Sequence, residues 1–274
     1  MPVIKLPSGK IHFLEAGQGL PVILLHANPG DSRDFDAVFE SLARRFHVFA
    51  LDWPGYGQSA SFDVALDSPL EKFDAVLREF ILERNLAPVV LIGNSVGGNV
   101  AARLAIRHTE MVAGLVLVSP GGFTQHNLVT HLFCKLQGSK LAMPPSVWAR
   151  MYLKIKTRFT RAMIDRAGHE QSTPSRKQLN RKVWQAFLSP NHDLRSSAKN
   201  IDKPTLLLFG QYDPAIRAKQ DGRVASLAMP NAELEVFLCG HAVFAEMPEA
   251  FLKRVVPFIE RCQGDGFSQG SATQ

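Results

Sequence analysis

The chain has little cysteine. Cys134, Cys239 and Cys262 are its three, odd in number, far apart and without any C-x-x-C spacing, so neither a disulfide framework nor a zinc site is suggested and a reducing compartment is the default. Long apolar runs are lacking too. Met1 to Lys10 carries two prolines and two lysines where a signal peptide would need an apolar core, and no uninterrupted apolar stretch reaches membrane-spanning length. A soluble, cytoplasmic protein is therefore expected. No internal repeat is visible and no nucleic-acid-binding module is recognisable, because the aromatic residues are not interleaved with the basic ones as stacking platforms would require. Apolar surface is plentiful: hydrophobic residues make up 46% of 274 positions, enough to bury a large core without staples.

The apolar runs alternate with helix-period stretches, as in a mainly parallel sheet with helices on both faces. Strands are predicted at Lys10 to Glu15, Pro21 to Leu25, His47 to Leu51, Pro88 to Gly93, Val112 to Ser119, Thr205 to Gly210 and Glu233 to Leu238. Several are continuous apolar runs, the pattern of strands buried on both faces. Helices are predicted at Asp34 to Arg45, Pro69 to Asn85, Asn99 to His108, Arg217 to Ala228 and Pro248 to Arg261. Ser68, Pro69 and Glu71 supply a cap, a first-turn proline and a capping-box carboxylate for the second of these. Gln263 to Gln274, rich in Gly, Ser and Gln, reads as a disordered tail.

Gly93-Asn94-Ser95-Val96-Gly97 spells G-x-S-x-G between a strand-like run and a helix-like one, the context of a nucleophile elbow. The turn forces its serine into a strained conformation, and glycine on both sides removes the Cβ atoms that would collide with strand and helix. Asp213 follows one later strand-like run and His241 another, giving the order Ser, Asp, His. A serine hydroxyl is a poor nucleophile until an imidazole takes its proton, and that imidazole needs a carboxylate to hold its tautomer. With these residues the sequence resembles the α/β-hydrolase family, which implies an α/β fold, a triad of Ser95, Asp213 and His241, and no metal or organic cofactor. Gly240, His241, Glu246, Pro248 and Phe251 match the family's G-H-x4-E-x-P-x2-F pattern, in which the last three position the following helix. Asp52, Pro54, Gly55, Gly57 and Ser59 match its D-x-P-G-x-G-x-S turn and are read as scaffold.

The transition state of ester attack carries an oxyanion, so two backbone N–H donors must be aimed at it. One is expected from Val96, directly after the nucleophile. His26-Ala27-Asn28-Pro29-Gly30 resembles the family's H-G-x-P segment, which implies the Asn28 amide as the second, with Ala27 in place of the usual glycine and His26 as a loop brace. A serine on the elbow departs from the haloalkane dehalogenases and epoxide hydrolases, which place aspartate there. The resemblance thus implies a serine hydrolase of carboxylic esters or related acyl compounds. Gly93-Asn94-Ser95 followed by Gly97-Gly98 also resembles the carbon–carbon bond hydrolases of ring-fission diketones, although Ala242 stands where those usually carry a bulky aromatic. A thioesterase or lyase acting on a natural-product intermediate and a low-turnover ligand sensor are the remaining alternatives.

Residues 122–200 break the strand and helix rhythm. They hold fourteen Lys or Arg against three Asp or Glu, net +11, while the rest of the chain holds seventeen against twenty-two, net −5. The expected division is a core of 1–121 and 201–262 with a helical cap insertion of 122–200. Val147, Trp148, Met151, Tyr152, Ile155, Phe159 and Met163 recur at helical spacing, with Arg150, Lys154, Arg158 and Arg161 mostly off that stripe. The stripe reads either as packing under solvated charges or as part of a lid that attracts anionic substrates or an anionic membrane surface. Trp148, Tyr152, Phe159 and Trp184 suit an apolar acyl or aromatic small-molecule substrate if they face a pocket, and otherwise are packing. Oligomeric state is left open.

Overall fold

A computed structural model describes residues 2–63 and 68–267, without the side chains of 264–267. Eight strands form one sheet: β1 (Val3–Leu6), β2 (Gly9–Ala16), β3 (Pro21–Leu25), β4 (His47–Leu51), β5 (Val89–Asn94), β6 (Val112–Val118), β7 (Thr205–Gly210) and β8 (Ala232–Phe237), in the order β1-β2-β4-β3-β5-β6-β7-β8. β1 and β2 pair antiparallel, β2 joins β4 antiparallel, and all later pairings are parallel. The helices are α1 (Phe39–Ala43), α2 (Pro69–Glu83), α3 (Val96–Arg107), α4 (Leu128–Gln137), α5 (Pro145–Tyr152), α6 (Arg158–His169), α7 (Pro174–Ala186), α8 (Arg223–Ala228), α9 (Val243–Glu246) and α10 (Pro248–Phe267). This is the α/β-hydrolase fold.

Strand alternation divides the interior into two cores. Ile23, Leu25, Leu91, Leu115, Leu117 and Leu207 pack on one face with α2 and α3, while Val22, Leu24, Val90, Ile92, Val116 and Leu206 pack on the other with α1 and α10. Every residue of β5 and β7 is buried, and so a continuous apolar run marks each. β1 is one edge of the sheet and β8 the other. The outward Glu233 and Glu235 of β8 pair with Arg254 and Arg261 of α10, which charges that edge against pairing with another chain.

Several expected elements differ. Asp34 to Arg45 is not one helix: Ser32–Phe35 forms a 3-10 turn capped by the Asp31 carboxylate, which accepts from the Arg33 amide, and α1 starts only at Phe39. Ser68 makes no side-chain cap on α2, and Glu71 instead pairs with the buried Arg103 of α3. Arg217 to Ala228 opens with a wide π turn over Ala218–Gly222 before α8. α10 runs to Phe267, five residues into the expected tail, because each added helical residue brings its own hydrogen bond once the helix is nucleated. Residues 268–274 of that tail lie outside the described residues.

Between β6 and β7 the chain leaves the sheet for α4 to α7. The Val147 to Met163 stripe is broken into α5 and α6 because the Lys154 and Ile155 amides donate to the Glu246 carboxylate and not to helix carbonyls. Thr157 restarts the helix: its hydroxyl accepts from the Thr160 amide while its own amide donates to Thr160 Oγ1. Trp148, Tyr152 and Met163 are buried, whereas Val147 and Met151 are exposed. No described helix is long and apolar enough to cross a membrane.

Candidate active site

Ser95 sits at the junction of β5 and α3 with φ 55° and ψ −111°. This is a left-handed conformation that costs a non-glycine residue about 1–3 kcal/mol and persists only where the surroundings impose it. The surroundings here are backbone. The Ser95 amide donates to Val118 O and its carbonyl accepts from the Asn99 and Gly121 amides, while a Cβ at Gly97 would collide with the Leu25 carbonyl. Val96 is the first residue of α3, so its N–H has no intrahelical acceptor and lies at the positive end of the helix.

His241 follows β8, and its Nδ1 lies 2.5 Å from Asp213 Oδ2 with both side chains buried. Asp213 Oδ1 accepts from the Ala215 and Ile216 amides at 2.8 and 3.1 Å, which fixes the carboxylate. Burial pulls the imidazole pKa down. The charge of Asp213, the hydrogen bond to it and the charge of Glu246 outweigh that pull, and the net shift is upward from the ordinary histidine value. Asn94, next to the elbow, donates its Nδ2 to Val118 O and to His241 O, so the histidine loop is tied to β5.

Glu246 does more than its sequence pattern implies. Its buried carboxylate accepts from the amides of Gly240 (2.9 Å), Ala242 (3.2 Å), Lys154 (2.8 Å) and Ile155 (2.8 Å). It thereby joins the histidine loop to the break between α5 and α6. The His241 amide donates to Tyr152 O at 3.0 Å, and a Cβ at Gly240 would collide with that same carbonyl. The four-donor junction was not legible from the motif, since its two halves lie about ninety residues apart in sequence.

The loop after β3 brings Asn28 to the same place. His26 is buried with Nδ1 against Ala27 O at 2.7 Å and Nε2 accepting from the Trp53 amide at 3.0 Å, while Trp53 Nε1 donates to His26 O. Both ring nitrogens are thus committed to backbone, and burial lowers the imidazole pKa. Asn28 Oδ1 accepts from Tyr56 OH at 2.8 Å. Asp52 accepts from the Ser32 and Gln58 amides and from His12 Nδ1, a buried scaffold for the turn.

Ser95, Val96, Asn28 and His241 all line one cavity of about 970 Å³, its mouth included. Asp213 stands behind the imidazole, bonded to it from outside the lining. Trp148, Tyr152 and Trp184 line the cavity as well. Trp148 and Tyr152 both pack and line: their rings meet edge to face at 5.7 Å, and Tyr152 meets the His241 ring at 5.3 Å. Phe159 lies against the core beneath Arg158 and is not among the lining residues. Sequence reasoning missed Phe133, which meets Trp184 edge to face at 5.4 Å, together with Thr130, His131 and Cys134 on the same helix. The available signal was Asn127 before the apolar run of α4, where Asn127 and Thr130 cap each other. Burial pushes the Cys134 thiol up to about 11, so the cavity that Ser95 also lines holds a thiol at this position and not a thiolate.

The family model described as "Alpha/beta hydrolase family" matches residues 22–254. The chain is 30% identical to the pimeloyl-[acyl-carrier protein] methyl ester esterase of Nitrosomonas europaea over 88% of this chain and 96% of that protein. It is 26% identical to the 2-hydroxy-6-oxo-6-(2'-aminophenyl)hexa-2,4-dienoic acid hydrolase of Metapseudomonas resinovorans, covering 91% of this chain and 87% of that one. Among solved structures it is similar to an esterase from Exiguobacterium antarcticum, with a TM-score of 0.81 at 21% identity over 94% of this chain and 98% of the other, a likeness of fold.

Proposed function

The chain belongs to the alpha/beta hydrolase family, and from that premise we propose that it is a serine hydrolase cleaving a carboxylic ester through an acyl-enzyme. One observation carries the reading: an imidazole anchored by a buried carboxylate shares a cavity with a serine held in a left-handed turn at a helix N-terminus. Ser95 Oγ attacks the acyl carbonyl carbon as His241 Nε2 takes its proton, and the Val96 and Asn28 amides receive the negative oxygen. His241, now cationic and held by Asp213, gives that proton to the departing alkoxide. Water then attacks the Ser95 ester with the same imidazole as base, releasing the acid and restoring the hydroxyl.

Residues 122–200 act as a cap over a core of 1–121 and 201–262. Trp148, Tyr152 and Trp184 give the acyl side of the cavity an apolar, aromatic wall, which suits a small-molecule ester with a bulky or aromatic acyl group. Ester cleavage is favoured over carbon–carbon cleavage by the stronger identity to the methyl ester esterase and by the small side chain at Ala242. A fluorophosphonate probe tests the chemistry. Rapid labelling on the peptide holding Ser95, lost in Ser95→Ala together with about 10⁴-fold or more of ester turnover, is the expected result. Tight binding of candidate esters with neither label nor product would instead make the protein a sensor, and a diketone turned over faster than any ester would make it a carbon–carbon hydrolase.

A further inference from the structure

Single exposed leucines are ordinary on protein surfaces, but contiguous ones call for an explanation. Leu128, Val129, Leu132, Leu136 and Leu141 are each between 43% and 83% exposed within fourteen consecutive positions. At 100° per residue the first four occupy one arc of α4 of about 100°. The opposite arc holds Thr130, Phe133 and Cys134, which line the cavity, and the buried Gln137. α4 is therefore a wall one helix thick, with the cavity on its inner side and an aliphatic stripe on its outer side.

The charge along the segment that carries that stripe has one sign. Lys135 borders it on α4 and Lys140 precedes Leu141, both exposed, and neither is in an ion pair among the described residues. No Asp or Glu occurs between Glu110 and Asp165. Aliphatic side chains flanked by lysines, with no acidic residue near in sequence, are the composition of a helix that lies in the headgroup layer of an anionic bilayer. Protein interfaces concentrate their binding energy in Trp, Tyr and Arg, with Leu and Val under-represented, and the outer arc of α4 has none of those three.

We propose that the outer face of α4 docks the protein on an anionic lipid bilayer, placing the cavity behind it where an ester dissolved in that layer can enter. The docking stands on α4 and the turn that follows it; the ester substrate rests on the function proposed above. Co-sedimentation with vesicles tests it. The protein is expected to sediment with vesicles of phosphatidylcholine mixed with phosphatidylglycerol and to stay in solution with phosphatidylcholine alone. Leu132→Asp combined with Leu136→Asp should abolish binding while leaving hydrolysis of a soluble short-chain nitrophenyl ester unchanged. Lys135→Glu, a milder change that serves if the double variant loses its circular dichroism spectrum, should weaken vesicle binding by about fivefold or more. Ser95→Ala should bind vesicles like the parent, which separates docking from chemistry.

Wild-type protein that ignores the mixed vesicles, or double-variant protein that binds them equally well, would overturn the proposal. So would a dimer in lipid-free sedimentation velocity that Leu132→Asp dissociates, since the stripe would then belong to a second copy. Retention on an acidic carrier protein without vesicle binding would assign the face to that partner instead.

Discussion

The sheet body holds the groups proposed to react, and the Glu246 tie beside them, with backbone atoms, whereas the helical insertion surrounds the same cavity with rings. Ser95, Asp213 and Glu246 are each fixed by two or more main-chain hydrogen bonds. On the insertion side Phe133, Trp148, Tyr152 and Trp184 touch one another ring to ring, at centroid distances of 5.4 to 5.8 Å. Main-chain bonds tolerate little displacement. Ring contacts bury apolar area that other apolar side chains of similar volume can also fill. Changes to the body should therefore act on every substrate alike, and changes to the insertion should act on some substrates and spare others.

Asp213→Asn is the largest expected breach. The amide oxygen can still accept from Ala215 and Ile216, so the loop should survive, but the asparagine favours the wrong histidine tautomer and kcat should fall by about 10⁴-fold for all esters. The pH profile gives a second reading. A general base works as neutral imidazole, and because the His241 pKa is raised, the acid limb of kcat/KM in the wild type should lie above the ordinary value of about 6.5. Residual activity in Asp213→Asn should show that limb moved down. Stability runs the other way: a raised folded-state value contributes stability that is fully present below the unfolded value and is lost as pH rises through the folded one. The pair thus supports the fold most where the base is least active, and Asp213→Asn should flatten unfolding free energy across that window.

Glu246 lies where the two regions meet, and the comparison is sharpened there. Glu246→Ala removes the acceptor of four amides, two from the histidine loop and two from the α5 to α6 break, and should cost about 2–4 kcal/mol in urea unfolding. If the junction positions His241, kcat should also fall, by about tenfold or more, with KM for a short ester nearly unchanged. Loss of stability with full kcat in the folded fraction would reduce Glu246 to a structural tie.

Legibility followed the same division. Pro21 to Leu25, His47 to Leu51 and Thr205 to Gly210 were bounded correctly from sequence because strands buried on both faces must be apolar throughout. β1 was missed: it is a four-residue edge strand with one buried side chain, too short for a run and flanked by Pro2 and Pro7. The elbow, the Asp213 turn and the His241 turn were legible because each is a local motif. The Glu246 junction and the inner face of α4 were not, because both depend on where the insertion folds back over the body, a tertiary relation that periodicity cannot carry. Ala27 in place of the expected glycine is accommodated, buried beside His26 with Asn28 still on the cavity.

Trp184→Ala is the smallest expected effect and the most discriminating. Trp148 is only 6% exposed, and truncating it should cost about 3–5 kcal/mol through the cavity it leaves, which would obscure any change in substrate choice. Trp184 is half-buried, at the edge of the ring cluster, so its loss should cost nearer 1–2 kcal/mol. If Trp184 contacts only long or aromatic acyl groups, kcat/KM for an acetyl ester should change less than about twofold, while for long-chain or aromatic acyl esters KM should rise about tenfold, the worth of one lost apolar contact surface. A graded series of nitrophenyl esters measures the split. Equal losses along the whole series would mean that Trp184 only packs, and selection would then have to lie elsewhere on the lining, with Phe133 the next residue to truncate.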